Sequence, residues 1–133
     1  MKALNVNRLL LAAVPGVGSL LSRCPATQLL VTSRSLLRLR GEHDVPLGPL
    51  AVPEPGGRRA APVAASAAVQ LFTSRAQRAD PAFAVTEDSA AALAEVVRRL
   101  EGLPLALELV AARVRTLPPS VLLSRLDRAL DLA

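Results

Sequence analysis

The chain has 133 residues, a formal net charge of +5 and 51% hydrophobic residues, enough for one domain or parts of two with a real core. Aromatic residues make up only 2%, with no Trp and no Tyr, so the core must be built from Leu, Val and Ala, and the composition argues against a surface that stacks single-stranded bases. Cys24 is the only cysteine and His43 the only histidine, which excludes an internal disulfide and leaves no ligand spacing for a metal site.

Met1 to Leu4 reads as the tail of a strand. Lys2 and Arg8 precede the apolar run Leu9 to Val14, a passing likeness to a secretory signal. The run is short, Pro15, Gly16 and Gly18 interrupt it, and no small-x-small cleavage site follows before Arg23, so the chain reads as cytoplasmic. No stretch approaches the length of an apolar membrane span. Arg8 to about Ser22 has the Leu and Ala of a helix, weakened by Pro15 and the two glycines. Cys24 to Thr27 is a turn. Gln28-Leu29-Leu30-Val31-Thr32 is continuously apolar until its end, the pattern of a buried parallel strand. Ser33 and Arg34 then break it. Val45 to Leu50 is extended by its prolines, as a short edge strand or as a loop pinned by Leu47 and Leu50. His43, between Glu42 and Asp44, reads as a solvated loop residue. Pro53-Glu54-Pro55-Gly56-Gly57-Arg58-Arg59 is the clearest linker signal, and it predicts a boundary between residues 1–61 and 62–133.

Beyond it the spacing predicts four helices. The first runs from Pro62 to about Ala79, with Val63, Val69, Leu71 and Phe72 near one face, and Asp80-Pro81 ends it. Thr86 is a good N-cap, and Glu87 and Asp88 in the first turn favour the helix dipole. That helix carries Leu93, Val96, Val97 and Leu100 at intervals of three and four. Gly102-Leu103-Pro104 then forms a corner. Gly suits a left-handed helix cap and Pro the first turn of the next helix. The third helix opens with Leu105, Leu107, Leu109 and Val110, an apolar start that predicts burial, and ends near Thr116. Ser120 to about Leu132 is the last, with Val121, Leu122, Leu126 and Leu130 repeating near 3.6. Short turns between these helices favour antiparallel packing of neighbours.

Charge is uneven. Residues 1–62 carry eight Lys/Arg against Glu42, Asp44 and Glu54, whereas residues 63–133 carry eight of each sign. A basic first half suits phosphate, in a nucleotide or a nucleic acid. An Arg just past the carboxyl end of a parallel strand can reach a terminal phosphate with a fixed fork of donors.

Taken together, the run Leu29-Leu30-Val31-Thr32-Ser33-Arg34, the segment Leu37 to Leu50, Ala68-Val69-Gln70-Leu71-Phe72, and the stretch Arg98 to Arg113 around Gly102-Leu103-Pro104-Leu105 resemble the NB-ARC type of signal-transduction (STAND) ATPase. The likeness is to the version in bacterial transcriptional regulators of the LuxR-like and AfsR-like classes. The resemblance implies an α/β remnant of a P-loop-type nucleotide-binding domain followed by a small all-α bundle. It further implies an ATP/ADP site in which Arg34 approaches the phosphates and Pro104 packs by the adenine, with Gly102 allowing the close turn and Thr32, Ser33 and Leu103 as further nucleotide-binding residues.

The departures bear directly on that site. No Gly-x-x-x-x-Gly-Lys-Ser/Thr occurs, and Gly16-Val17-Gly18-Ser19 lacks the lysine and the spacing. Asn5 stands where the family has the Asp that serves Mg²⁺, and a neutral amide does not supply that charge. The chain therefore reads as a piece of a nucleotide switch, with ATP/ADP binding weak or absent by itself, Mg²⁺ not held, and DNA contacted only by a domain outside it. Two alternatives stay open. One is a helical interaction module whose exposed Leu/Val faces bind a protein partner or a second copy. The other is direct nucleic-acid binding by the basic half.

Overall fold

The computed structural model describes residues 2–5 and 14–130. Its elements are β1 (Lys2–Asn5), α1 (Val14–Arg23), β2 (Leu29–Thr32), α2 (Ala60–Ala64), α3 (Ala67–Ala79), α4 (Glu87–Arg99), α5 (Pro104–Ala111) and α6 (Pro119–Leu130). The chain divides into two compact units, Met1–Leu47 and Gly48–Ala133. The junction lies ahead of the Pro53–Arg59 stretch, because the intervening backbone is bonded into the second unit. The Leu50 N–H donates to the Gly102 carbonyl at 3.0 Å, and the Ala68 N–H donates to the Ala51 carbonyl at 3.0 Å.

In the first unit β1 and β2 pair in parallel, from Lys2 opposite Leu29 to Asn5 opposite Thr32. Parallel neighbours cannot be joined by a tight turn, and α1 lies between them in the chain. Residues 8–13, where the sequence starts this helix, lie outside the described residues, as does most of the apolar run beginning at Leu9. Pro15 sits in the first turn of α1, where its missing N–H costs little. Gly16 and Gly18 lie inside the helix, each costing about 1 kcal/mol relative to Ala. The expectation of a buried β2 is corrected: half-buried and exposed residues alternate along it, and Leu30 is 51% exposed. Among the described residues the sheet has two strands, so β2 has one neighbour and alternates as a half-covered strand does. Of the alternatives for 45–50 the loop is observed. Leu50 is half-buried against the core, whereas Leu47 is 89% exposed and pins nothing.

The second unit is a small helical bundle of five helices among the described residues, not four. Ser66 splits the first expected helix into α2 and α3. Its hydroxyl donates to the Val63 carbonyl at 3.1 Å and accepts the Val69 N–H at 3.4 Å, ending one helix and capping the next. Thr86 caps α4 as expected, in a reciprocal box with Ser89. Of the side chains the spacing marked, Val63, Val69, Phe72, Leu93, Val96, Val97, Leu107 and Leu122 are buried, and Leu71, Leu100 and Leu126 are half-buried. Val121 is corrected to exposed, and the side chain of Leu130 lies outside the described residues. Phe72 and Phe83, the two phenylalanines of the chain, meet with ring centroids 6.0 Å apart.

Packing between helices differs from the expectation of neighbours lying side by side. The main pairings are α3 with α5 and α4 with α6. The corner after α4 sends α5 across to α3 instead of back along α4. Ion pairs follow the same pairings. Arg75 on α3 meets Glu108 on α5 at 2.9 Å, and Arg99 on α4 meets Asp127 on α6 while also contacting Glu95 at 3.1 Å. These groups are about one-third exposed, so they orient the helices more than they stabilise them.

Candidate functional site

The Gly102 corner is built by backbone first. As α4 ends, the Leu100 N–H donates to the Val96 carbonyl and the Gly102 N–H to the Val97 carbonyl, at 3.1 and 3.3 Å. Glu101 and Gly102 both take positive φ, 53° and 64°. That reverses the chain within two residues, as a left-handed cap does. Leu103 is extended, at φ −71° and ψ 117°, and Pro104 opens α5. An extended residue ahead of proline is the sterically favoured state.

Gly102 is buried, and what buries it is the chain's own backbone. A Cβ at this position would lie 2.2 Å from the Leu50 carbonyl oxygen and 3.2 Å from a Val52 methyl. The hydrogen bond from Leu50 to the Gly102 carbonyl locks the same contact. Gly102 thus serves the close approach of residues 50–52 to the corner. Leu103 is 49% exposed and Pro104 is exposed, so both present apolar surface outward.

The apolar start of α5 divides in two. Leu107 is buried and Val110 half-buried, but Leu105 is 69% and Leu109 62% exposed, which corrects the expectation of burial for both. They are four residues apart and lie on one helix face, opposite the side that packs.

The remaining candidates belong to the first unit. Asn5 and Thr32 are paired at the carboxyl ends of two parallel strands, the end at which ligands gather in α/β sheets. Ser33 and Arg34 follow immediately, both exposed. The Ser33 hydroxyl accepts the Ser35 N–H at 3.1 Å, a local turn that ends the strand. Gly16 to Ser19 form helix and not a phosphate-cradling loop.

Glu42 is a group the sequence reading passed over. Its carboxylate accepts the N–H groups of Leu37 at 2.9 Å and Leu39 at 3.1 Å, closing a turn in which Arg38 has φ 57°. Backbone donation from Leu37, reinforced by Leu39 and Arg38, holds this exposed carboxyl below the usual carboxylate range. Leu37 is the one buried apolar side chain of the first unit among the described residues. The only sequence signal was an acid set a few residues beyond a polar turn, which by itself names no partner.

Among the described residues no cluster of His, Cys, Asp and Glu could hold a metal ion, and no helix is long and apolar enough to cross a membrane.

The chain is similar to a Mycobacterium tuberculosis protein provisionally named an HTH-type transcriptional regulator, with 36% identity over 123 residues, 92% of this chain and 13% of that protein. A Mycobacterium bovis protein of the same description matches to the same extent. An uncharacterized Mycobacterium tuberculosis protein is 37% identical over 111 residues, 84% of this chain and 25% of its own length. The chain thus spans about an eighth to a quarter of the relatives it matches. No protein-family profile matches the chain, and no solved structure does.

Proposed function

We propose that this chain is a segment of a bacterial transcription regulator that couples a nucleotide-binding α/β part to a helical part, in the manner of an NB-ARC switch. The observation that carries the regulator part of this reading is the similarity over 92% of the chain to a protein named as a regulator, while the nucleotide part rests on the resemblance of the stretches around Arg34 and Pro104. The paired strand ends at Asn5 and Thr32 and the exposed Leu103–Pro104 corner are consistent with it. Arg34 would supply a charged fork to a phosphate, and Pro104 an apolar wall to an adenine. DNA contact would fall to parts of the regulator outside this segment, and the site of action would be the cytoplasm.

Affinity is the point at which the reading is exposed. Phosphate binding in such sites rests on a glycine-rich cradle and its lysine, which this sequence lacks, and Asn5 brings no charge to Mg²⁺. The chain should bind ADP and ATP weakly and hydrolyse neither. In a titration followed by amide NMR, millimolar ADP should move the signals of Ser33, Arg34, Gly102 and Leu103, Mg²⁺ should add nothing, and Arg34→Ala should abolish the shifts. Absence of any shift at these residues would remove the nucleotide reading. Sub-micromolar affinity would overturn the weakness argued from the missing loop.

A further inference from the structure

A base laid against Leu103 and Pro104 meets apolar surface there but no free main-chain group. The Gly102 N–H donates to Val97 and the Gly102 carbonyl accepts from Leu50. The Leu103 N–H donates to Leu100, the Leu103 carbonyl accepts from Leu107, and Pro104 has no N–H. Val52, beside the same corner, is different. Its methyl lies 3.2 Å from the Cβ position of Gly102, and the residue is 38% exposed. Among the described residues its N–H and carbonyl have no main-chain partner.

The neighbours of Val52 set the direction of those two groups. Leu50 turns its N–H to the Gly102 carbonyl, and its own carbonyl oxygen also lies against Gly102. Ala51 turns its carbonyl away, to the Ala68 N–H of α3. Pro53 is buried and follows Val52, which restricts Val52 to extended backbone. Along an extended chain the main-chain groups alternate in direction, so the N–H and carbonyl of Val52 return to the side of the corner.

We propose that the main chain of Val52 reads the adenine edge at this corner. Its N–H donates to the ring nitrogen of the Watson–Crick edge, and its carbonyl accepts from the exocyclic amino group. The Val52 side chain extends the apolar wall of Leu103 and Pro104. This rests on the nucleotide reading above and adds base selectivity to it. Guanine carries an oxygen acceptor where adenine has its amino donor, and a ring N–H where adenine has its acceptor nitrogen. Each Val52 group then faces one of its own kind, and two bonds go unmade. The ligand class is an adenine nucleotide, and guanine nucleotides are rejected.

Amide NMR titrations of the full chain with ADP and with GDP test it. Millimolar ADP should move the Val52 amide together with those of Gly102 and Leu103, and GDP should bind about tenfold more weakly. Val52→Pro keeps the extended backbone but deletes the N–H. It should weaken ADP about tenfold and remove the preference over GDP, whereas Val52→Ala retains the N–H and should keep the preference. Should Val52→Pro fail to fold by circular dichroism, the parent's Val52 shift and its preference for ADP decide the matter. Shifts at Gly102 and Leu103 with the Val52 amide unmoved, or equal affinity for ADP and GDP, overturn this inference and leave the nucleotide reading standing. A folded Val52→Pro that still prefers ADP overturns it too. No shift at any of these residues with either nucleotide overturns both.

Discussion

An added methyl at Gly102 would have to displace the Leu50 carbonyl or unwind the left-handed turn, since the position combines φ 64° with a backbone oxygen 2.2 Å from the Cβ site. Either adjustment is costly in a buried corner. Gly102→Ala should therefore destabilise the helical unit by about 3 kcal/mol in urea denaturation. A loss within about 0.5 kcal/mol, the range of ordinary surface changes, would show that the corner is not held this tightly. Glu42 makes a different residue-scale prediction. Its carboxyl is depressed in the folded chain, so its contribution is present above the unfolded value of about 4.3 and is lost as pH falls through the lower folded value. An NMR pH titration should show the Leu37 and Leu39 amides following Glu42 through that acid window. Glu42→Gln should leave them flat, and amides that ignore the titration would contradict the observed bonds.

At the scale of a single helix, α5 separates two kinds of leucine that hydropathy treats alike. Leu107→Ala removes a fully buried side chain and should cost about 3 kcal/mol, whereas Leu105→Ala should stay within roughly 0.5 kcal/mol. Equal losses at the two positions would mean that α5 is rotated from the face described. The α4 cap gives a cleaner local measure. Thr86→Ala removes the acceptor of the Ser89 N–H, bonded at 3.2 Å, and should cost about 1 kcal/mol in the same assay. The periodicity of α4 made its packing face legible, because Leu93, Val96 and Val97 repeat at helical spacing and all three are buried. The break at Ser66 was harder to see. Alanines on both sides favour an unbroken helix, whereas at the interruption the hydroxyl makes two hydrogen bonds and the Ala68 N–H donates to the remote Ala51 carbonyl.

At the scale of the two units, every buried apolar side chain among the described residues except Leu37 lies in residues 48–133, and the core cluster draws on α2 to α6. That unit should fold without the first. A chain of residues 48–133 should unfold cooperatively with a midpoint within about 4 °C of the full chain, the shift expected from less than roughly 1 kcal/mol. A non-cooperative or fully unfolded product in thermal circular dichroism would refute this. Among the described residues of 1–47, α1 has no buried residue and Leu37 is the one buried apolar side chain.

The sequence by itself determined the kinds of element, a strand, a helix and a strand, then a helical bundle, with Thr86 and Pro104 marking helix starts. These are local matters, set by capping, proline geometry and periodicity, and they need no distant partner. It set other limits less well, since α5 stops at Ala111 and not near Thr116, and the expected starts and ends at Arg8 and Leu132 lie outside the described residues. It also determined what the chain lacks, a glycine-rich phosphate loop with its lysine. Only the tertiary structure decided which leucines of α5 are covered, that α5 packs on α3 and not on α4, and that Gly102 is a glycine because Leu50 lies against it. Each depends on groups remote in sequence meeting in space. Hydropathy registers that a residue is apolar, but the partner that covers it arrives from another part of the chain.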